Sequence, residues 1–309
     1  MVGSGRSGST LLERVVGGVD GMTNVGELID LFRWVAPQDE RCGCGQAFST
    51  CEFWTAVGAR AYGGWTDGLC ARMTDLQDRV ARQRRLPQVL LSRRSTALAA
   101  GLGEYHDAYR ELYDAILDVS GGDVIVDASK RPVQALAIAR GGDIDVRLLH
   151  LVRDVRGVAF SWAKSDVERP HATGGRTTMA VQATASTAAR WSACQVQAEV
   201  VGRLTTSYHR VRYEDLVSAP TRTTTAALAG LGLPRDPWSL DHLAGGVATL
   251  AASHGLSGNP SRFRTGPQEL RLDEEWRRSM TRRDRRTATV VGGALLARYG
   301  YRAGGSSPG

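Results

Sequence analysis

The chain has 309 residues, 42% hydrophobic and 23% charged, enough to bury a core without disulfide or metal staples. No apolar run approaches the ~18 residues of a membrane span, and the opening Met-Val-Gly-Ser is not a signal peptide, so collagen-like, disordered, membrane and disulfide-scaffold classes are excluded. Of 39 basic residues against 32 acidic ones, net +7, only Lys130 and Lys164 are lysines, a bias that a G+C-rich genome explains; each lysine in such a chain still draws inspection, because ammonium and guanidinium are not interchangeable.

In chain order, Val2-Gly3-Ser4-Gly5-Arg6-Ser7-Gly8-Ser9-Thr10 is a glycine-rich turn, and Leu11 to Val16 reads as a helix. A buried strand ordinarily feeds such a loop. Only Met1 and Val2 precede it, which leaves open whether the natural start lies upstream of Met1. Residues 35–55 read as irregular and 56–120 as helices, with apolar positions at helical spacing through Ala97, Leu98, Leu102, Tyr105, Tyr109, Leu112 and Ile116. Asp123 to Asp127 is a short buried strand, Pro132 to Ala139 a helix opened by proline, Val146 to Val152 a strand, and Arg156 to Lys164 the start of a helix. Residues 166–180 read as a loop, 181–203 as a helix, Ser207 to Arg212 as a strand and 219–232 as a helix. Residues 253–268 are again irregular, Asp273 to Tyr299 reads as one C-terminal helix, and the tail 303–309 is expected to be disordered. No internal repeat is present. Strands alternating with helices predict an α/β chain with a P-loop-like three-layer fold, its central parallel sheet flanked by helices and its ligands outside the strands' carboxyl ends. A single domain spans 1–302, with 56–120 as a helical insertion on the acceptor side.

Gly3 to Thr10 keeps the glycine spacing of the nucleotide loop G-x-x-x-x-G-K-[ST], with Ser9 in place of the lysine. The loop N–H groups and the helix N-terminus behind them make an anion nest. Without the lysine a triphosphate is poorly served, whereas Arg6 offers a forked donor set to one phosphate or sulfate. Three later stretches share this logic. Arg153 at a strand end and Ser161 on the following helix can grip a monophosphate. Tyr213, in Arg212-Tyr213-Glu214-Asp215-Leu216, can present a ring or hydroxyl to a base. Gly258 to Gly266 is a loop carrying Arg262 and Arg264.

Together these segments resemble the PAPS-dependent sulfotransferases, which transfer a sulfuryl group from 3′-phosphoadenosine 5′-phosphosulfate, and more narrowly a bacterial branch similar to tyrosylprotein and carbohydrate sulfotransferases. The resemblance runs from residue 3 to about 277. It implies that Arg6, Ser7, Gly8, Ser9 and Thr10 hold the 5′-phosphosulfate, that Arg153 and Ser161 bind the 3′-phosphate, that Tyr213 lies near the adenine and 3′-phosphate, and that Arg262 and Arg264 close over the nucleotide. Two departures stand out. Soluble aryl sulfotransferases carry Lys and a following Trp around the loop, where this chain has Arg6 and Leu11, and no histidine here matches their catalytic base. Glu27 lies twenty-one residues after Arg6, the distance of the catalytic Glu in the tyrosylprotein branch, and Lys130 matches the family's catalytic lysine.

In sulfuryl transfer the acceptor hydroxyl must lose a proton while a bridging oxygen gains charge; Glu27 is the expected base, and Lys130 and Arg6 the expected cations. Taken residue by residue, Glu27 also reads as a solvated first-turn carboxylate, and Lys130 as a surface charge. His150 reads as a satisfied strand histidine, and His254 as a loop residue or a contact to nucleotide or acceptor. The arginines from 277 to 286 read as a solvated helix face. For Cys42, Cys44 and Cys51, three readings stay open: a structural zinc site lacking a fourth ligand nearby in sequence, a local disulfide, or packed and free thiols. The odd count of five cysteines suits a reducing cytoplasm. No metal is expected for the reaction. The expected partner is a hydroxyl acceptor (small molecule such as a secondary metabolite, carbohydrate or lipid, with a peptide tyrosine behind them), walled by 56–120 and 163–180. Nucleic acid and membrane insertion are not expected, and a homodimer is left open. The rivals are a P-loop kinase or other phosphotransferase, which wants a loop lysine, and a non-catalytic polyanion binder driven by net charge.

Overall fold

A computed structural model describes residues 1–301 apart from 92–94, 165–167, 171–175, 179–180 and 234–239; the tail 303–309 lies outside the described residues. β1 (Val2–Gly3) leads into α1 (Ser9–Val16) and β2 (Met22–Gly26), followed by α2 (Glu52–Tyr62), α3 (Asp67–Val80), α4 (Leu86–Leu90) and α5 (Thr96–Ser120). Next come β3 (Val124–Asp127), α6 (Pro132–Ala139), β4 (Arg147–Val152), α7 (Val155–Ala163), the hairpin β5 (Glu168–Pro170) and β6 (Arg176–Thr178), and α8 (Thr184–Gly202). β7 (Ser207–Arg212), α9 (Tyr213–Ser218), α10 (Pro220–Gly230), β8 (Leu243–Ala244), β9 (Val247–Leu250), β10 (Gly266–Glu269), α11 (Glu275–Ser279) and α12 (Arg282–Arg298) complete the chain.

β1, β4 and β7 pair in parallel, as do β2 and β3. A parallel bridge from Val2 to Lys130 joins the two groups, with the Gly3 N–H donating to the Lys130 carbonyl (3.2 Å) and the Lys130 N–H to the Met1 carbonyl (3.0 Å). The spatial order is therefore β2-β3-β1-β4-β7, and the glycine loop leaves β1 where the order reverses, the usual place for a ligand in an open parallel sheet. Alternation along β4 separates the layers. Leu149 and Leu151 pack with Leu12, Val15, Leu216 and Leu228 on one face, while Leu148 on the other joins a cluster with Val133, Leu136, Ala198 and Val201. His150, on that second face, is wholly buried and bonded to Tyr208 Oη (2.8 Å) and Gln195 Oε1, and burial pushes its imidazole down to about 4. It is the satisfied strand histidine expected.

From Leu102 to Ile116 the predicted stripe is the buried face of α5, packed with Val57, Met73 and Leu76 of α2 and α3, whereas Ala97 at its start is exposed and Leu98 half-buried. Ser95 Oγ caps the helix by accepting the Leu98 N–H, and Gly121 ends it with a positive φ of 66°. The helical segment starts at Glu52, four residues before the expected boundary. Met22–Gly26, to which the sequence pattern assigns no element, is a strand, although Asn24 and Gly26 are poor strand formers. Three further expectations are corrected. Residues 168–178 include a hairpin, and 243–269 form a small antiparallel sheet around an irregular loop. The C-terminal helix is two helices: Met280 is extended and buried beside Trp276, and Thr281 restarts the helix by accepting the Asp284 N–H (3.1 Å). Among the described residues no helix is long and apolar enough to cross a membrane.

Candidate active site

Three residues of the glycine loop have positive φ, Gly3 (147°), Arg6 (65°) and Gly8 (90°). A Cβ at Gly8 would lie 2.5 Å from the Tyr213 ring, so only glycine fits this approach. No side chain caps α1, no acidic residue occupies its first turn, and Ser9 and Thr10 are nearly buried. The Leu11 and Leu12 N–H groups both donate to the Gly8 carbonyl (3.1 Å each), which leaves the Ser9 and Thr10 N–H groups as those with no acceptor inside the helix. Ser7 is wholly enclosed, and its Oγ has no hydrogen-bond partner among the described residues. An orphaned buried hydroxyl beside an uncapped helix start fits a phosphate or sulfate oxygen. Arg6 stacks its guanidinium over Trp162 (5.3 Å), whose Nε1 donates to the Gly5 carbonyl (3.3 Å).

Arg153 follows β4 and is almost buried. It donates to the Arg6 carbonyl (3.2 Å), to the Asp273 carbonyl (3.1 Å) and to Asp273 Oδ2 (2.9 Å), and lies over the Tyr213 ring (4.5 Å). Arg153 thus holds the backbone of the glycine loop at Arg6, and Tyr213 lies between Gly8 and Arg153. Ser161 is half-buried on α7, beside Trp162 in sequence.

On the other side of the loop, Lys130 Nζ donates to Glu27 Oε1. Glu27 is not a solvated helical carboxylate: it follows β2, just before a short 3₁₀ turn (Leu28–Asp30), with its side chain 12% exposed, and its N–H donates to the Leu256 carbonyl (2.8 Å). Lys130 is no surface charge either; it follows β3 at a φ of 66° with its side chain 18% exposed. Gly258 links this pair to the loop, since a Cβ there would stand 2.8 Å from Glu27 Oε1 and 3.5 Å from Thr10 Oγ1. Asp127 secures the turn before Lys130 by accepting the Ser129 N–H (2.8 Å) and the Tyr113 hydroxyl (2.8 Å), and Ser129 Oγ accepts the Ile29 N–H (2.9 Å). Burial raises the Glu27 carboxyl above the ordinary carboxylate range, with Lys130 pulling it back.

The basic loop behaves differently from the rest. Arg262 is buried and spends its guanidinium on the Ser257 (2.7 Å) and Arg41 (3.1 Å) carbonyls, while Arg264 is exposed. Sequence reasoning also missed four neighbours. Glu13, buried on α1, is pushed up to about 8 by burial first and then by the Glu27 charge, against Lys130 and Arg262. Arg14 grips the loop from α1, Trp162 backs Arg6, and Asp273 holds Arg153. Only Trp162 had a local signal, its place next to Ser161. His254 meets the three clustered cysteines, supplying the fourth ligand-type side chain absent from the local sequence.

The family model described as "Sulfotransferase family" matches residues 1–237. Among solved structures, the sulfotransferase domain from the curacin biosynthetic pathway is 12% identical with a TM-score of 0.50, the match covering 97% of this chain and 96% of that one. The sulfotransferase domain from the Synechococcus PCC 7002 olefin synthase is 17% identical with a TM-score of 0.46, covering 96% and 92%. No curated protein matches the chain. The curacin-pathway likeness agrees with the three-layer P-loop-like fold.

Proposed function

The chain belongs to the sulfotransferase family, and from that premise we propose that it moves a sulfuryl group from 3′-phosphoadenosine 5′-phosphosulfate to a hydroxyl of a small-molecule, carbohydrate or lipid acceptor. The strongest support is one juxtaposition. Arg153 donates to the Arg6 carbonyl in the glycine loop, and Gly258 lies between the Glu27–Lys130 pair and Thr10 at the loop's other side.

In this reading Ser7, Gly8, Ser9 and Thr10 cradle the 5′-phosphosulfate, Arg6 adds charge, and Arg153, Ser161 and Tyr213 take the 3′-phosphate end. Arg262 contributes through the loop it holds, and Arg264 is a cation on that same loop. Transfer forms a bond from the acceptor oxygen to sulfur and breaks the bond from sulfur to the phosphate oxygen, leaving adenosine 3′,5′-bisphosphate. Glu27 takes the acceptor's proton; its raised proton affinity suits a base, and the Lys130 charge opposes that rise by favouring the ionised form. Lys130 and Arg6 offset the charge that builds on the departing phosphate.

The test is incubation with labelled donor and acceptor mixtures, read by mass spectrometry as a gain of SO₃. Glu27→Gln should keep the thermal stabilisation by adenosine 3′,5′-bisphosphate and lose roughly 10²–10⁴ in turnover. Stabilisation by ATP with magnesium and none by the bisphosphate would instead favour a kinase.

A further inference from the structure

We propose that Cys42, Cys44, Cys51 and His254 bind a structural zinc ion. Cys42 and Cys44 lie in a tight turn, with the Cys42 N–H donating to the Gln46 carbonyl (2.9 Å) and the Gly45 N–H to the Cys42 carbonyl (2.8 Å). Cys51 is the residue before α2, and His254 comes from the loop after β9, more than two hundred residues away.

The spacings are those of a metal tetrahedron. Cys44 Sγ and Cys51 Sγ are 3.7 Å apart, His254 Nδ1 is 3.6 Å from Cys42 Sγ and 3.4 Å from Cys51 Sγ, and all four ligand atoms lie within 4.8 Å of one another. Zinc bonded at about 2.3 Å to sulfur and about 2.0 Å to nitrogen has tetrahedral edges of about 3.8 Å between sulfurs and about 3.6 Å from sulfur to nitrogen. A disulfide requires sulfurs about 2 Å apart, and it would leave Cys42 and His254 converging for no purpose.

The surroundings suit thiolate ligands and a fixed imidazole. The Cys44 N–H donates toward Cys42 Sγ, and the Trp54 N–H toward Cys51 Sγ, the kind of outer contact that orients and stabilises metal-bound sulfur. The His254 ring lies flat on Phe53, with centroids 4.5 Å apart at 11°, and its carbonyl accepts from Trp54 Nε1 (2.9 Å). Three sulfurs and one nitrogen fill four positions and leave none open, so the site is structural, not catalytic. Its mechanical effect is specific. The Gly43 N–H donates to the Gly255 carbonyl (3.0 Å), and the next residue, Leu256, exchanges bonds with Val25 and Glu27, so the ion fastens the loop that holds the end of β2.

The full chain, purified under reducing conditions after growth with added zinc, should carry stoichiometric zinc by elemental analysis, and cobalt loading should give the visible bands of a tetrahedral thiolate complex. Cys42→Ser and His254→Ala should lose that zinc, while Cys70→Ser and Cys194→Ser, which alter thiols outside the cluster, should keep it. His254→Cys, which restores four ligands, should bind cobalt with an altered spectrum and covers the case in which a variant fails to fold. Metal-free protein with no cobalt bands overturns the proposal, as do zinc retained by both Cys42→Ser and His254→Ala, or a Cys44–Cys51 disulfide found by mass mapping of freshly purified protein.

Discussion

Replacing Glu13 by glutamine should remove a pH-dependent penalty built into the site. The Glu13 carboxyl is buried, and its pKa is pushed from about 4.5 in the unfolded chain to about 8 by burial and by the Glu27 charge. A carboxyl raised on folding favours the native state fully only below about pH 4.5, and that contribution is lost as pH rises toward 8. Each pH unit inside the window costs about 1.4 kcal/mol, less near its two ends, so between pH 5 and 8 the wild type should lose about 3.5 kcal/mol that the glutamine variant keeps. Any packing cost of the amide is the same at every pH and drops out of the difference. Urea unfolding of both proteins at pH 5, 6, 7 and 8 measures the gap, and the protonated-carboxyl infrared band assigned by the variant should titrate near pH 8. Parallel stability curves, or a band that vanishes near pH 4–5, would refute the reasoning.

Lys130→Ala should cost roughly 10²–10³ in turnover. Because Lys130 is the main influence holding the Glu27 carboxyl down, the acid limb of the pH–rate profile should also move to higher pH. Gly8→Ala drives a Cβ to within 2.5 Å of the Tyr213 ring at a φ of 90°; a strain of about 1–3 kcal/mol at the loop should weaken adenosine 3′,5′-bisphosphate binding by roughly tenfold or more in calorimetry. Asp273→Asn removes the carboxylate paired with Arg153. Since Asp273 is 44% exposed, binding of that nucleotide should tighten by only roughly twofold to fivefold at low salt, and an unchanged affinity would show that the carboxylate does not compete.

What was legible in the sequence was local. Gly3, Gly8 and the helix behind them fall within one stretch, and Arg153 and Tyr213 each directly follow a strand of hydrophobic or β-branched residues. Glu27 was found by its distance from Arg6 while its strand went unread, because Asn24 and Gly26 mask the pattern of a segment held mainly by β3. His254 and the cysteines were readable singly but not together, since no local rule brings a residue of the 253–258 loop to a turn at 42–44. Glu13 and Arg14 lie on a helix whose apolar residues are also buried; that both charged side chains are enclosed follows from the loop covering them, which is a tertiary fact. The break at Met280 had a signal, Thr281 three residues before Asp284, obscured by the charged run around it.

The loop from Ala251 to Arg264 poses a problem that two arginines solve. Apart from one short 3₁₀ turn it has no regular structure, so its carbonyls need partners from elsewhere. Arg14 donates to the carbonyls of Ala251 (2.8 Å), Ser261 (3.0 Å) and Arg264, and Arg262 to those of Ser257 and Gly258. One guanidinium reaches three carbonyls because its donors are spread across a rigid plane; a lysine is a point charge on a flexible stem. Arg14→Lys should therefore keep the charge and still strand acceptors, costing about 2–4 kcal/mol if two of the three bonds fail. Since Leu256 and Gly258 of this loop touch the Glu27 segment, amide exchange should rise together at 253–264 and 25–30 while Arg153 keeps its partners. Turnover should then fall with little change in nucleotide affinity; an Arg14→Lys protein with wild-type exchange at 25–30 and lowered turnover would break the link between the clamp and Glu27.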